Sequence, residues 1–294
     1  MVLKNRLLFR GIFYAVFQLV GRLLGLKVYQ TARIFPVFQQ MNHCVCRPLA
    51  LIAGVVAAGA SRPAVFQCPR RGDLLFGQHT GYLGRTVPRE ETKLYDFLNK
   101  MIAFIWAYAI IRPGVNALRT PVYPEMINIV NGKDIAFTDY LLDEKEVTAA
   151  IENYVFTNGR PITRSMLAWW MYQDEDQVLI DGAQKLEIEH IFARKRQENE
   201  KTLKDKNNLE KLGNKVLLEE GINIRASDYR FSDKIKYYKG FTTDSGKKKV
   251  ATKDNELLTM ANTMTDYTEQ DIVDRTANIY QSFIMFVKKN NLFK

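Results

Sequence analysis

The chain has no acidic residue in its first 72 positions and contains only three cysteines and three histidines. An odd number of cysteines excludes complete disulfide pairing within the chain and suits a reducing compartment, so a cytoplasmic protein is expected. The sequence also has no internal repeat and no Gly-rich phosphate loop. These absences argue against a repeat architecture and against a P-loop nucleotide site.

Two of the cysteines and one histidine lie close together, at Cys44, Cys46 and His43. These residue types bind zinc, but Cys-x-Cys is not the usual spacing of a paired zinc knuckle. A zinc site here is therefore a minor alternative.

Positive charge is concentrated at the N-terminal end of the chain. The net charge is +10, and residues 1–90 hold 12 Lys or Arg against two Asp or Glu, whereas residues 91–294 hold 30 of each sign. The basic excess therefore lies wholly in residues 1–90. It cannot be used as evidence for a nucleic-acid-binding surface on the rest of the chain.

Residues 1–90 form an atypical basic and hydrophobic segment with three competing interpretations: a membrane-surface element, an eroded or replaced domain, or the product of a shifted reading frame. Its apolar stretches at 11–21 and 48–60 are shorter than the about 20 residues that span a bilayer. Periodicity and turn signals are incoherent from residue 28 onwards. This favours a replaced or frame-shifted segment over membrane contact by residues 1–30.

Helical periodicity begins near residue 91. Leu98, Met101, Ile102 and Ile105 recur at helical spacing, and the Arg-Pro-Gly sequence at 112–114 ends the run. Further helices are predicted at residues 124–130, 144–156 and 162–173. Their aromatic residues are attributed to core packing rather than to a binding groove.

The pattern changes at residue 186. Short strands are predicted at residues 186–191 and 215–219, joined by a polar link that ends in a short helix. A helix at 232–238, a loop at 240–253 and a final helix that opens at Thr268 complete the chain. The expected class is α+β, mainly helical, with a helical scaffold at 91–184 and a second domain at 185–294.

The residues that carry chemistry are Glu189-His190, Gly213-Asn214 and Asn223, a spacing typical of an HNH nuclease site. His190 is predicted to be the general base, because imidazole titrates near neutral pH. Glu189 and Asn223 offer oxygen ligands for Mg²⁺ (or Mn²⁺). Asn214 is predicted to hold the histidine-bearing loop through hydrogen bonds to the backbone.

The adjacency of Glu189 and His190 imposes a geometric condition. Neighbouring residues on a regular strand point to opposite faces, so both can meet one phosphate only if the strand ends there and the backbone turns. A surface Glu-His dipeptide beside a turn Asn is the alternative interpretation.

Residues 91–294 resemble the C-terminal half of the GmrSD-type modification-dependent restriction proteins. The anchors are residues 112–121 (RPGVNALRTP), Glu189-His190, 213–219 (GNKVLLE) and 223–231 (NIRASDYRF). The resemblance implies a ββα-metal (HNH) nuclease fold with a C-terminal helix.

By the same resemblance, His190 is the base, Glu189 and Asn223 bind the metal, and Asn214 is the middle residue of the HNH triplet. Lys215 and Arg225 are expected to contact phosphate, with solvated surface charge as the alternative.

Two departures from the family are visible. The family usually has His-x-x-Pro, but Ala193 stands at the proline position, which predicts a loosened turn. The family's N-terminal sensor motif is absent, so dependence on nucleotides is not implied.

The predicted function is a metal-dependent DNA endonuclease module, whole or truncated, of an anti-phage restriction system, acting on modified phage DNA with a sensor subunit or as a homo-oligomer. A catalytically poor nucleic-acid-binding remnant and a membrane-associated effector are the alternatives.

Overall fold

The computed structural model describes residues 89–131, 133–180, 184–227 and 229–294. This part of the chain is mainly helical with two small antiparallel two-stranded sheets, the α+β class that the sequence predicts. The interpretations of residues 1–88, including membrane contact by residues 1–30 and the zinc alternative at His43, lie outside the described residues. Within the described ranges, no helix is both long enough and apolar enough to cross a bilayer.

Four helices precede the first strand. They are α1 (Arg89–Ile111), α2 (Arg119–Val130), α3 (Glu144–Asn153) and α4 (Pro161–Met171). The elements that follow are β1 (Leu186–His190), α5 (Arg194–Glu200), β2 (Lys215–Glu219), α6 (Glu220–Ala226), α7 (Phe231–Lys239), β3 (Phe241–Thr242), β4 (Lys248–Lys249), α8 (Asn255–Thr263) and α9 (Glu269–Lys289).

Local sequence explains where three of the helices begin. The side chain of Asp143 caps α3 by accepting from the backbone N–H of Glu146, and Pro161 occupies the first position of α4, where a missing N–H costs nothing. Thr268 and Asp271 form the predicted capping box of α9. These signals are short-range, so the sequence is sufficient to place these starts.

A large aromatic core joins the two ends of the described chain. The rings of Trp106 on α1, Trp169 on α4 and Phe283 on α9 lie with centroids 6.2–6.4 Å apart, and all three side chains are buried. Edge and tilted arrangements at this distance are the favoured aromatic geometries. The predicted boundary between residues 184 and 185 therefore runs through a shared core, because Phe283 belongs to the second part and both tryptophans to the first.

A second, smaller core lies on the other side of the β1–β2 ribbon. It contains Val216 and Leu218 of β2, Ile222 of α6 and Phe231 and Tyr238 of α7. The ribbon is therefore covered on both faces, which explains why every residue of β2 is buried. This arrangement decides what surrounds each predicted site residue.

Several predicted elements are confirmed and some boundaries differ. Strand β2 and the start of α9 agree with the prediction, while α2 begins five residues earlier than the predicted helix and α3 ends three residues earlier than its own. The sequence predicts neither α5 nor α8. The polar run of α5 has no apolar periodicity that would indicate a helix. The loop at 240–253 contains the small β3–β4 hairpin.

Candidate active site

The β1–β2 ribbon carries three of the six predicted site residues, Glu189, His190 and Lys215. His190 is the last residue of β1 and pairs with Lys215, the first residue of β2. The chain then bends at Ile191 and Phe192, and Ala193 caps α5. The strand therefore ends at His190, which is the condition that the sequence analysis set.

Glu189 and His190 nevertheless have their partners on opposite faces of the ribbon. Glu189 contacts Lys234 and Tyr238 of α7, on the side of the smaller core. The side chain of His190 lies beside Glu210, on the other face. The alternation of a regular strand thus persists to its last residue, and the bend that follows does not bring the two side chains to one point.

The imidazole of His190 is buried. Its Nε2 atom is buried and has no hydrogen-bond partner among the described residues, and Oε1 of Glu210 lies 3.8 Å away. That distance is too long for a hydrogen bond, so the attraction is electrostatic. Burial lowers the pKa of His190, an effect that Glu210 opposes. The imidazole is therefore neutral near pH 7, the state in which it can accept a proton.

Glu210 is a central residue of the site and is not among the residues predicted from the sequence. Its carboxylate pairs with Lys215 Nζ at 2.5 Å and with Arg194 Nη2 at 2.5 Å. Contact with His190, followed by the contacts with Lys215 and Arg194, holds the pKa of Glu210 well below its usual value against the opposing effect of burial. No periodicity or motif marks Glu210, which lies in the polar link between the strands.

Lys215 is enclosed by protein groups. Its side chain is fully buried, and its ammonium donates to the backbone carbonyl of Phe156, to Asn158 Oδ1 at 3.0 Å and to Glu210. Burial lowers the pKa of Lys215, and Glu210 opposes this effect. In this arrangement the Lys215 ammonium is inaccessible to a phosphate. Its hydrogen bonds link the ribbon to the loop after α3.

Glu189 forms a buried ion pair. Its Oε1 atom accepts from Lys234 Nζ at 2.6 Å and from the hydroxyl of Tyr238 at 3.0 Å. Lys234 also donates to the backbone carbonyl of His190 at 2.7 Å. Burial raises the pKa of Glu189, an effect that Lys234 and Tyr238 oppose. The carboxylate is thus already neutralised by a protein cation.

Asn223 lies on α6, and the acid that it contacts is Glu187 instead of Glu189. Its Nδ2 atom donates to Glu187 Oε2 at 3.0 Å, and Lys185 Nζ lies 3.0 Å from the other carboxylate oxygen. The hydrogen bond from Asn223, followed by that from Lys185, lowers the pKa of Glu187. The two-residue period of β1 places Glu187 and Glu189 on one face, and this signal could have identified Glu187.

Asn214 makes the contacts that the sequence predicts for it. It is fully buried, and its Oδ1 accepts from the backbone N–H of Phe192 at 2.7 Å, while its Nδ2 donates to the carbonyls of Phe192 and Leu209. These bonds fix the segment that follows His190. Asn214 thus holds the loop after His190 as the sequence predicts, and its catalytic assignment stays a prediction.

The turn before Asn214 requires glycine because α9 passes directly over it. A Cβ atom at Gly213 would lie 2.2 Å from the carbonyl oxygen of Ile272 and 2.3 Å from Thr276 Oγ1. Arg275 of the same helix donates to the carbonyl of Gly213 at 3.0 Å. The Gly-Asn dipeptide thus combines a close backbone approach with a polar side chain that holds the loop.

Arg225 stands on α6, two residues after Asn223. Its Nε atom is buried and has no hydrogen-bond partner in the described part of the chain. Its predicted contact with phosphate stays a prediction.

The residues that were predicted to hold a divalent cation do not form a cation site in this arrangement. Glu189 is paired with Lys234, Asn223 is bonded to Glu187, and His190 lies on the other face of the ribbon. Among the residues that the structure describes, no group of three or more His, Cys, Asp or Glu side chains could hold a metal ion. Glu189 would have to exchange Lys234 for the cation before it could serve as a ligand.

The fold and site define an α+β domain that carries a neutral histidine at the end of a β-ribbon. Residues 142–282 match the family described as GmrSD restriction endonucleases, C-terminal domain, and this range contains the whole ribbon and every predicted site residue. The chain therefore contains a C-terminal domain of the GmrSD restriction endonuclease family, as the resemblance predicted. The family description gives this domain a restriction endonuclease role, for which DNA is the substrate. Neither a curated protein nor a solved structure matches the chain.

Proposed function

We propose that this protein hydrolyses DNA phosphodiester bonds as an HNH-type endonuclease and that His190 accepts the proton of the attacking water. The observation that carries the proposal is the buried, unpartnered Nε2 of His190 within the matched region, and burial also lowers the pKa of this imidazole. A general base must be unprotonated before the reaction and close to the water that it activates. Burial of His190 meets the first requirement.

Three neighbours support this role of His190. The carboxylate of Glu210, 3.8 Å from Nε2, stabilises the imidazolium that forms when the proton is accepted. Asn214 fixes the bend after the histidine, and Lys234 holds its backbone carbonyl. Because the Nε2 atom is buried, water and the scissile phosphate reach it only after nearby side chains move. Arg194, whose side chain is half exposed, pairs with the same Glu210 oxygen that lies beside Nε2, and we propose that its movement opens this path.

We also propose that DNA hydrolysis by this protein depends on Mg²⁺ or Mn²⁺, as the family resemblance implies. The described arrangement does not fit a cation at Glu189 and Asn223, so no chemical step is assigned to the metal. The proposal also includes a role in defence against modified phage DNA, in the cytoplasm, with a sensor subunit or as a homo-oligomer.

A specific observation favours the second candidate function, a nucleic-acid-binding remnant without turnover. Glu189 is neutralised by Lys234 and the Nε2 of His190 is closed from solvent. A domain that kept this arrangement on DNA would bind the polymer without cleaving it.

The two functions are separated by nicking of supercoiled plasmid by the full chain in Mg²⁺ and in Mn²⁺. We expect His190→Ala to lower the nicking rate by about 10²–10⁴-fold, the usual effect of removing a positioned base. His79→Ala is the control, since residue 79 lies outside the matched domain. Equal rates for wild type and His190→Ala would refute the nuclease proposal, and a wild type that binds DNA but never nicks it would favour the remnant.

A further inference from the structure

One segment of the otherwise neutral C-terminal part is strongly basic. Residues 229–253 contain eight Lys or Arg and two Asp or Glu, although residues 91–294 as a whole carry equal numbers of each sign. Two of these cations have structural partners, because Arg230 pairs with Glu200 and Lys234 with Glu189. The segment therefore has positive charge left over for a partner.

The unpaired charge lies on α7 and on the β3–β4 hairpin. Lys236, Lys247 and Lys248 are exposed and Lys249 is half-exposed, and none of the four has an ion-pair partner among residues 89–294 as described. The hairpin is anchored against α7. Thr252 N donates to the carbonyl of Tyr238 at 2.9 Å.

Aromatic rings lie among these lysines. Tyr229 is 51% exposed, and its ring is nearly parallel to that of Tyr237, with an interplanar angle of 17° and centroids 6.3 Å apart. Lys236 Nζ lies 4.9 Å from the centre of the Tyr237 ring. Phe241, the β3 partner of Lys249, packs edge-on against Tyr237 at 5.5 Å. We name this surface the basic aromatic face and define it by Tyr229, Tyr237, Lys236, Lys247, Lys248 and Lys249.

The same helix connects the basic aromatic face to the candidate site. Lys234 of α7 donates to the backbone carbonyl of His190, and Tyr237 lies three residues further along α7. A polymer held on the exposed side of α7 therefore lies near the end of β1, on the side of the ribbon that carries Glu189, with the His190 side chain on the other face.

We propose that the basic aromatic face binds DNA at a segment with unpaired bases, with the lysines on phosphates and a base stacked on the exposed tyrosine ring. The inference rests on the proposed function, which makes DNA the substrate. Lysine charge alone attracts any polyanion, but an accessible aromatic face adds stacking energy only for a base that has left the duplex stack. A membrane surface would use the lysines without that stacking.

The test measures binding by fluorescence anisotropy in the full chain with His190→Ala, which prevents cleavage of the probe. The probes are a labelled single strand of about 20 nucleotides and the corresponding duplex. The first variant combines Lys247→Gln, Lys248→Gln and Lys249→Gln. Its matched control combines Lys133→Gln, Lys145→Gln and Lys289→Gln, three exposed lysines outside the face.

We expect the hairpin variant to weaken single-strand binding at least tenfold at about 0.1 M salt. It should also reduce the slope of log K against log salt by about two, at about 0.7 for each lost phosphate contact. The control variant should bind like the parent. Tyr229→Ala should weaken single-strand binding about fivefold or more and leave duplex binding nearly unchanged, whereas Tyr229→Phe should retain both.

Three results would overturn the inference: equal effects of the hairpin and control variants, equal loss of single-strand and duplex binding in Tyr229→Ala, or binding to phosphatidylserine vesicles without binding to either DNA.

Plasmid nicking distinguishes failure of the basic aromatic face from failure of the proposed nuclease function. A wild type that nicks DNA while both sets of lysine variants bind equally refutes only the face. A wild type that never nicks, but binds single strands through the face, refutes only the nuclease.

Discussion

The ammonium of Lys234 lies 2.6 Å from Oε1 of Glu189, and both side chains are buried. The family resemblance assigns Glu189 to the metal, but here its carboxylate is bound by Lys234. The pair joins α7 to the end of β1, the strand that bears His190. A buried ion pair is sensitive to the loss of one partner, since the remaining charge is left without compensation.

Lys234→Met should therefore lower the free energy of unfolding by about 3–5 kcal/mol, because the Glu189 carboxylate stays buried without its cation. Adding Glu189→Gln to this variant should recover part of the loss. Urea unfolding in EDTA measures both effects, with the exposed Lys236→Met as the control. If Glu189→Gln alone left the stability in EDTA unchanged but removed stabilisation by Mg²⁺, the metal-ligand role would be supported over the structural one.

Gly213→Ala should destabilise the protein by several kcal/mol and lower the nicking rate. The added methyl group would lie 2.2 Å from the backbone oxygen of Ile272, so α9 or the turn before Asn214 must shift. Gly221→Ala is the matched control, because its Cβ would meet only Arg225 at an ordinary 3.6 Å and alanine favours the helix by about 0.5–1 kcal/mol. Thermal unfolding that is equal in the two variants would contradict the close approach.

Ala193→Pro should stabilise the protein by about 0.4–1 kcal/mol by restricting the unfolded chain. The backbone φ of Ala193 is −66°, which suits proline, and its N–H has no hydrogen-bond partner within the described chain. The nicking rate should rise if the missing proline loosens the bend after His190. Ala193→Gly should change the stability in the opposite direction. A destabilised proline variant would mean that the buried ring has no room, and the family-based roles at Glu189 would then be withdrawn first.

Asp254 should make the stability depend on pH. It is fully buried at the N-cap of α8, where it accepts from Leu257 N at 2.7 Å, and burial raises its pKa from 3.8 to about 7. The folded state therefore binds more protons than the unfolded state between these values. Its contribution to stability is fully present below about pH 4 and is lost as the pH rises through about 7.

Asp254→Asn keeps the capping acceptor and removes the ionisation. We expect it to flatten the pH dependence of the unfolding free energy across this window and to raise the stability at pH 8. The exchange Asp143→Asn at the exposed N-cap of α3 is the control. A pH profile identical to that of wild type would show that Asp254 stays charged in the folded protein.

The candidate site could be predicted in part because its signals are local. The end of β1 at His190, the capping box at Thr268 and the backbone contacts of Asn214 follow from short patterns of residue type and spacing. Glu210 could not be found in this way. It reaches His190 only because the polar link folds back alongside the ribbon.

The partners of the two predicted metal ligands also depend on distant elements. Lys234 lies 45 residues from Glu189 along the chain, and Glu187 lies 36 residues from Asn223. No periodicity relates such positions, since their contact depends on how α6 and α7 pack against the ribbon. Lys215, for which a phosphate contact is predicted from the sequence, is instead bound by Phe156 and Asn158 of the loop after α3 and by Glu210.

The sequence by itself determined the α+β class, the order of the main elements and the family of the C-terminal domain, and it singled out His190 as the candidate proton acceptor. Each of these depends on residue type, short spacing or periodicity, which act along the chain. The tertiary structure decided which acid faces which cation, which side of the ribbon His190 occupies and where unpaired lysines gather on α7 and the hairpin. These relationships arise from packing between segments far apart in sequence, and burial then sets the charge state of each group.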